Sequence, residues 1–353
     1  MSARTLLLLL CMPAVSLALV RLPVATERDA PPSDSSTTQS TLTQTRTAAP
    51  ALPTALPTTL AYKPPRTPWG DPDLQGVFTN SNEYMTPLER PDSFAGRRLE
   101  DLSGEELARV RADATRDMVA ALPGGRVRGP DDWWLQNLDV SKRHQPWLIV
   151  DPPDGKIPAL TREGATRAAA RVRSSFVGGP FNGPEDFNPL ERCISRSVPA
   201  SMIPVMYGNN YQIVQTPGMV AILYEIVHET RLIPLDGRPH IGAAISQHMG
   251  DARGRWEGDT LVVETTNFKT LSVYRAANAT TLRVTERFVR VAPDRIMWKA
   301  TLEDPQTWTR PWSIVMPLTR DPDPILPYDC HEHNDGVRNI LRGARAEESA
   351  AQR

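Results

Sequence analysis

The feature that most limits the folds open to this chain is a train of short apolar runs between residues 212 and 318, separated by turn residues. Eight of these runs have the length of a strand, namely residues 212–216, 219–227, 230–235, 254–256, 260–268, 282–291, 295–303 and 312–318. Tight-turn chemistry lies between them, as in Pro217-Gly218, Asp236-Gly237, Gly258-Asp259 and Pro293-Asp294. The pattern predicts a mainly β fold, with a curled antiparallel sheet or an up-and-down, lipocalin-like barrel. A two-sheet β-sandwich is the alternative architecture.

The residues that precede these runs predict a wrap of helices and loops. Ser103 and Glu106 have the spacing of a capping box, which predicts a helix through about residue 121. Thr161 is the predicted N-cap of a second helix, which extends to about Arg173. Short strands are predicted at residues 71–78 and 147–151. We therefore assign residues 69–210 to a helical and loop-rich part of the domain, and residues 211–353 to a barrel-like core with a C-terminal tail.

Residues 1–25 have the pattern of a secretory signal peptide. Arg4 precedes an apolar run, and Ser16 and Ala18 provide a small-x-small cleavage site. The run is short for a transmembrane helix, and an uncleaved anchor is the alternative. Cys11 follows the large Leu10, which disfavours a lipoprotein signal. These observations predict an exported protein of the periplasm or the extracellular space.

Residues 26–68 are rich in Pro, Thr and Ser and contain few large apolar side chains. Such a segment buries too little apolar surface to offset the entropy lost by an ordered chain. It therefore predicts a disordered tether between the signal peptide and the domain.

The charge balance limits the kinds of partner. The chain has a net charge of −1, from 40 basic and 41 acidic residues. Nucleic-acid-binding proteins and polybasic membrane-surface proteins carry a basic excess, so we expect no nucleic-acid partner. Membrane attachment is expected only through an uncleaved signal or a lipid anchor, and the sequence does not specify an oligomeric state.

Two cysteines follow the predicted signal peptide, Cys193 and Cys330. In an oxidising compartment two such cysteines usually pair, so we predict a disulfide that ties the C-terminal tail to the middle of the chain. In the chain-entropy model a loop of this length stabilises the fold by about 4–5 kcal/mol. The alternatives are two free buried thiols or a pair of metal-binding thiolates.

No familiar catalytic signature is present in the sequence: it contains no GxSxG, P-loop, GxGxxG, HExxH or CxxCH motif. Strand alternation is more informative. It places Glu286 on an apolar face with Val284 and Phe288, and it ends two other apolar faces at Asp304 and His228. A carboxyl group buried beside an imidazole is typical of general acid/base catalysis. The alternative is that Glu286 pairs with an interior arginine, Arg231 or Arg238.

Two further groups of residues are candidates for ligand binding. Arg238 and His240 lie in a polar loop and are predicted to hold the polar end of a substrate. Four aromatic residues are predicted to line an apolar pocket: Tyr224, Trp298, Trp308 and Trp312. The alternatives are an Asp–Arg network that locks the turns together, and aromatic side chains that only fill the core.

A metal site is a weaker prediction. His331 and Glu332 follow Cys330, and His228 or His240 would complete a ligand set. No spacing in the sequence matches that of a known metal site, so we predict no cofactor and keep a metal as the alternative.

Two long segments carry a family resemblance, IPLDGRPH at residues 233–240 and the run at residues 249–268. Shorter segments add to it, at residues 148–155, 191–193, 211–217, 303–305 and 330–332. Together they resemble a widespread family of uncharacterised exported bacterial proteins. The resemblance covers nearly the whole domain and implies an exported single-domain protein, but it implies no activity. Position 333, which is His here and Gly in similar proteins, departs from the pattern and argues against a two-histidine metal site.

The leading hypothesis is an exported enzyme that uses cofactor-free acid/base chemistry, as a lyase, isomerase or hydrolase, on a small and partly apolar molecule. Glu286 and His228 would exchange protons and Asp304 would assist. The second hypothesis is a periplasmic binding protein for a lipophilic ligand. The third is a metal-dependent enzyme built on His228, His240, His331 and Glu332.

Overall fold

The computed structural model describes residues 62–121, 144–170, 179–332 and 334–352. The predicted signal peptide and nearly all of the predicted tether lie outside these ranges. The last residues assigned to the tether already contact the domain, because Arg66 forms a β-bridge with Pro72 and an ion pair with Asp259. Within the described ranges, no helix is both long and apolar enough to cross a membrane.

The fold is mainly β, as predicted. The strands are β1 (Gly76–Thr79), β2 (Ile149–Asp151), β3 (Asn210–Thr216), β4 (Met219–Tyr224), β5 (Thr230–Pro234), β6 (Asp251–Glu257), β7 (Thr260–Thr266), β8 (Arg283–Ala292), β9 (Arg295–Glu303) and β10 (Trp312–Arg320). One antiparallel sheet has the order β5-β4-β3-β1-β10-β9-β8-β7-β6, with β2 paired to β10 off this path. The N-terminal part therefore contributes a strand, β1, to the middle of the sheet.

The sheet curls into a nearly closed barrel. Its two end strands, β5 and β6, approach each other closely at Gly254. A Cβ at this position would lie 2.5 Å from Leu235 Cδ2 and 2.7 Å from Ile233 Cγ2. Glycine at this position leaves room for the Leu235 and Ile233 side chains against the β6 backbone. The barrel prediction is confirmed, and the alternative of two separate sheets is not what forms.

Three helices occur in the described residues: α1 (Gly104–Ala121), α2 (Arg162–Ala169) and α3 (Asp335–Ala351). The predicted capping box is present at α1, where Ser103 N donates to Glu106 Oε2 at 3.0 Å and Glu106 N donates to Ser103 Oγ at 3.2 Å. Thr161 caps α2, which ends at Ala169 rather than near Arg173. Helix α3 was not predicted, although Val337, Ile340 and Leu341 have helical spacing.

Side chains fill the barrel interior. Alternate residues of each strand point inward, as in β9, where Ile296, Trp298, Ala300 and Leu302 are all fully buried. Four tryptophans are among the largest buried side chains, Trp147, Trp298, Trp308 and Trp312. Surface depressions of the described chain around Arg90 and Trp147 and beside α3 both lie outside the barrel.

The two ends of the barrel differ. Strands β3, β6 and β8 run in the same direction, so the turns that follow them lie together at one end, which we call the tight-turn end. The turns there are Pro217-Gly218, Gly258-Asp259 and Pro293-Asp294. The other end, which we call the loop-rich end, carries residues 192–209, 225–229, 267–282 and 304–311. The predicted disulfide is present at this end, with 5.6 Å between the Cα atoms of Cys193 and Cys330.

Candidate functional site

Glu286 lies inside the barrel, as alternation predicted, and it is fully buried. Its Oε2 atom lies 2.6 Å from Nη1 of Arg231 on β5, an ion pair that lacks the angle of a hydrogen bond. Its Oε1 atom accepts a hydrogen bond of 3.1 Å from Trp298 Nε1. Arg231 also donates from Nη2 to Thr265 Oγ1 on β7 at 2.5 Å. The pair ties β5 to β7, β8 and β9, which is the alternative that the sequence left open.

The electrostatics of this network fit a structural ion pair. Burial alone lowers the pKa of Arg231, but the Glu286 carboxylate beside it raises that pKa, and the net result is a raised value. Burial raises the pKa of Tyr224, whose hydroxyl accepts from Arg231 at 3.5 Å, to about 12. Removing one partner from such a pair leaves an uncompensated buried charge. The geometry favours a supporting role for Glu286, and the predicted proton exchange stays a prediction.

His228 departs from the predicted geometry. Strand β4 ends at Tyr224, and Ile226–His228 form a 3₁₀ turn in which Val227 and His228 have φ values of 61° and 55°. His228 is exposed. The prediction that it shares the inward face of Tyr224 is wrong, because alternation holds only while the strand continues. Among the described residues, His228 is not a hydrogen-bond or ion-pair partner of Glu286.

Asp304 is buried at the end of β9 and joins two loops of the loop-rich end. Its Oδ2 atom accepts from the backbone N–H of Asn278 at 2.6 Å. Its Oδ1 atom accepts from Thr281 Oγ1 at 2.6 Å and from the backbone N–H of Gln306 at 3.1 Å. The Thr307 hydroxyl also donates to it. These bonds hold residues 267–282 against residues 304–311, so Asp304 is placed to order loops rather than to assist Glu286.

The predicted aromatic residues separate into two groups. Tyr224 and Trp298 belong to the sealed interior around Glu286. Trp308 and Trp312 lie at the loop-rich end, in an edge-to-face pair with 5.5 Å between ring centroids. Tyr274 lies 6.3 Å from Trp312 by the same measure, so an aromatic cluster forms at this end.

Arg196 lies beside this cluster. The guanidinium donates from Nη1 to the Ile203 carbonyl at 2.7 Å. It has no carboxylate partner among the residues that the structure describes. Burial lowers the pKa of Arg196, and the nearby hydroxyls of Tyr211, Tyr274 and Tyr328 oppose that effect. The guanidinium still remains a cation, since arginine does not lose its proton in proteins. Buried charges are normally paired, so an unpaired one is a candidate for binding an anion.

Other polar groups at the loop-rich end also lack partners within the described ranges. Arg192 and Lys269 lie close enough to His248 to lower its pKa, and neither forms an ion pair. The buried Ser197 Oγ and Trp312 Nε1 have no hydrogen-bond partner. Because native structures satisfy most buried polar groups, such groups call for water or a ligand as the missing partner.

Backbone strain is concentrated at the same end. Eight non-glycine residues of the described chain have a positive φ, and all except Met85 belong to the loop-rich end: Cys193, Ser197, Val227, His228, Asn267, Arg275 and Ala276. The left-handed region costs about 1–2 kcal/mol for a residue with a Cβ. Strain of this kind clusters at functional sites, where surrounding contacts hold it in place.

His248 and Ser272 form a close pair. The Nδ1 atom of His248 lies 2.6 Å from Ser272 Oγ. Burial, and then the positive charges of Lys269 and Arg192, lower the pKa of His248 below its usual value of 6.5. The imidazole is therefore neutral at pH 7 and can accept the serine proton.

Arg238 and His240 lie in a charge network on the outer wall. Arg238 pairs with Asp236 inside its own turn. His240 Nδ1 lies 2.8 Å from Asp251 Oδ2, and its Nε2 lies 3.3 Å from Glu264 Oε1. These contacts match the turn-locking network that was the alternative for this region. The predicted substrate contacts of Arg238 and His240 stay predictions.

His331 and Glu332 are both exposed beside the disulfide. The part of the chain that the structure describes holds no group of three or more His, Cys, Asp or Glu side chains arranged to bind a metal. His333 lies outside the described residues.

Sequence reasoning missed two sets of residues at or beside the loop-rich end. One is Arg196 with Tyr274 and Tyr328, next to Ser197, and the other is His248 with Ser272, Lys269 and Arg192. They belong to segments far apart in the sequence, and none forms a recognisable motif. The one available signal was that Arg192 and Arg196 flank a cysteine predicted to form a disulfide.

Comparison with known proteins gave no match, whether by a scan against protein-family models, a search of curated proteins or a search of solved structures.

Proposed function

We propose that this protein is exported and that the loop-rich end of its barrel binds a small aromatic molecule that carries a negative charge. The observation that carries the proposal is Arg196, a partly buried guanidinium among tyrosines with no carboxylate partner in the described residues. The proposal is closest to the binding-protein hypothesis, but it places the ligand at the barrel mouth instead of inside.

The position of the site follows from packing. The mouth of a small barrel is a common place for ligands. Here large side chains fill the interior, which disfavours a ligand inside the barrel. The tight-turn end offers short turns, whereas the loop-rich end offers long segments that carry most of the strained residues.

The charge of the ligand follows from the cations. Arg192, Arg196 and Lys269 have no ion-pair partner within the described ranges. Burial raises the pKa of Glu225 and of Glu229 at the same end, and neither carboxyl group forms an ion pair with these cations among the described residues. A carboxylate or phenolate on the ligand would supply the missing negative charge.

The aromatic character follows from the side chains around Arg196. Tyr207 and Tyr328 stack with 6.2 Å between ring centroids, and Tyr274 packs near Trp312. Flat aromatic surfaces prefer an aromatic ring as a neighbour. Trp312 Nε1 and Ser197 Oγ offer hydrogen bonds that no described residue takes up.

Export rests on two observations. The Cys193–Cys330 disulfide is typical of an oxidising compartment. The signal-like pattern of residues 1–25 agrees with it. Export is tested by detecting the mature chain outside the cytoplasm and sequencing its N-terminus.

Binding is tested by isothermal titration of the full chain with benzoate and phenylacetate, and with benzyl alcohol as the neutral analogue. The carboxylates should bind and the alcohol should bind more weakly. In Arg196→Met, carboxylate affinity should fall by about 10- to 100-fold, because a charge-assisted hydrogen bond contributes about 1.5–3 kcal/mol.

The matched control is Arg255→Met, which removes an arginine at the tight-turn end, where Arg255 pairs with Glu257. Its carboxylate affinity should equal that of the unmodified chain. Equal loss in both variants, or equal binding of benzoate and benzyl alcohol, would contradict the proposal. So would the absence of saturable binding by either carboxylate.

A further inference from the structure

His248 and Ser272 are positioned by backbone bonds that join their loops. The Gln247 amide donates to the Asn267 carbonyl and the Lys269 amide donates to the Gln247 carbonyl, each at 2.9 Å. Both bonds are made by Gln247, the residue that precedes His248. The Ser272 amide donates to the Lys269 carbonyl at 2.9 Å, which fixes the serine on the other loop.

Asn267 adds a second constraint. It has a φ of 58°, and its Nδ2 donates to the carbonyls of Ile241, Gly242 and Ile245 at 3.0, 3.2 and 3.1 Å. The Asn267 side chain thus holds the loop that carries His248. The hydroxyl and the imidazole are held at hydrogen-bond distance before any ligand arrives, which is what a nucleophile and its base require.

The charges near the pair suit an acyl-transfer reaction. Arg192 and Lys269 act on His248, and neither has an ion-pair partner in the described part of the chain. Cations at such a position stabilise the negative charge that develops on a carbonyl oxygen under attack. Within the described residues no carboxylate is hydrogen-bonded to the His248 ring, so the pair would be a dyad.

We propose that Ser272 is a nucleophile and His248 its general base, and that together they hydrolyse esters of small aromatic carboxylic acids. Ser272 Oγ attacks the ester carbonyl carbon while its proton passes to His248 Nδ1. The bond to the leaving alcohol then breaks, and His248 returns the proton to that alcohol. Water attacks the acyl-serine, gives a proton to His248, and releases the carboxylic acid as Ser272 regains its proton.

The choice of substrate rests on the proposed function, because the acid product is the kind of anion that Arg196 is proposed to bind. The chemistry itself rests only on the His248–Ser272 pair. Loss of carboxylate binding in Arg196→Met and loss of chemistry in Ser272→Ala are therefore separate results, and either can fail without the other.

The test is labelling of the folded full chain with a fluorophosphonate, followed by peptide mapping, alongside hydrolysis of 4-nitrophenyl acetate and 4-nitrophenyl benzoate. Ser272 should carry the label, and Ser272→Ala should lower kcat by about 10³-fold or more. His248→Gln should lower it similarly. Ser246→Ala, which removes an exposed serine from the loop of His248, should leave labelling and hydrolysis unchanged.

The pH profile separates catalysis from a structural hydrogen bond. The rate should rise as a group with a pKa below 6.5 loses its proton, because the neutral form of His248 is the base. Mapping of the unmodified chain needs no variant, so a folding defect in Ser272→Ala does not prevent a decision. Failure of the unmodified, folded chain to label at Ser272, or equal hydrolysis by Ser272→Ala, would overturn the inference.

Discussion

The two ends of the barrel solve the same geometric problem in different ways. Both contain chain reversals that require a left-handed backbone. At the tight-turn end the left-handed positions are glycines, such as Gly218 and Gly258. At the loop-rich end most are residues with side chains, including Val227, Arg275 and Ala276. One end uses the residue that adopts this conformation most easily, and the other accepts strain of about 1–2 kcal/mol at each position.

The ends also differ in how they treat charge. At the tight-turn end Arg287 and Arg255 lower the pKa of Glu257. At the loop-rich end burial raises the pKa of Glu229, while Arg192, Arg196 and Lys269 have no carboxylate partner in the described residues. Strain and unbalanced charge both reduce stability, so their presence at one end indicates that this end is shaped by something other than folding.

The largest expected effect concerns the ion pair that lies between the two ends. Glu286→Gln should destabilise the fold by about 3–5 kcal/mol, because it leaves the Arg231 charge buried without a counter-charge. The double variant Arg231→Met with Glu286→Leu should recover much of that loss, since no charge remains to be buried. The measurement is urea unfolding followed by fluorescence.

Arg287→Met is the matched control for this prediction. Arg287 neighbours Glu286 on β8 but points outward to Glu257, and partly exposed pairs of this kind contribute about 1 kcal/mol or less. A Glu286→Gln chain that keeps its full stability would show that the pair is not a structural tie. It would also support the hypothesis, drawn from the sequence, that Glu286 donates or accepts a proton in catalysis.

Sequence patterns captured what local rules govern. The alternation of β8 and β9 placed Glu286 and Trp298 inside, and turn chemistry located the tight-turn end. His228 was misplaced because a strand and a strained 3₁₀ turn have similar residues, and only tertiary contacts decide where β4 stops. The sequence could not predict that Arg196 lies among tyrosines, or that Ser272 lies beside His248. These contacts join segments that are distant in the sequence and that only the closed barrel brings together.

The next effect is a reciprocal exchange of glycine and alanine. Gly258→Ala should destabilise the tight-turn end by about 1 kcal/mol, since φ is 61° there and open space surrounds the new methyl group. Ala276→Gly, at a φ of 59°, should instead stabilise the protein by up to about 1 kcal/mol, because strain relief exceeds the added chain entropy. The measurement is the urea concentration at the unfolding midpoint of each variant, compared with that of the unmodified chain.

The carboxylate affinities of the same two variants provide a further test. Ala276→Gly loosens a loop that adjoins Tyr274, so carboxylate affinity should fall even as stability rises, and Gly258→Ala should leave affinity unchanged. If both variants lower stability, the conformation at Ala276 is not strained, and the contrast between the ends loses its basis.

The smallest effect is a difference in pH dependence. Burial raises the pKa of Glu229 above its unfolded value, and the hydrogen bond from Ser195 Oγ, at 2.7 Å, only partly opposes this. A carboxyl group with a raised pKa favours the fold while protonated, so its contribution is fully present below the unfolded pKa and is lost as pH rises through the folded pKa. The pKa of Glu257 is lowered, and the hydrogen bond from Arg287 is the largest cause. Glu257 therefore contributes stability above its unfolded pKa and loses that contribution as pH falls through the folded pKa.

Melting temperatures measured from pH 3 to pH 8 therefore distinguish the ends. Relative to the unmodified chain, Glu229→Gln should gain stability as pH rises above the unfolded value near 4.5. Glu257→Gln should instead lose stability relative to the unmodified chain as pH rises from 3 towards 4.5, and the deficit should stay constant above that pH, because the arginine contacts of the carboxylate are removed. Parallel shifts in the two variants would mean that both ends stabilise their carboxylates alike, and the loop-rich end would then have no electrostatic cost for an anionic ligand to relieve.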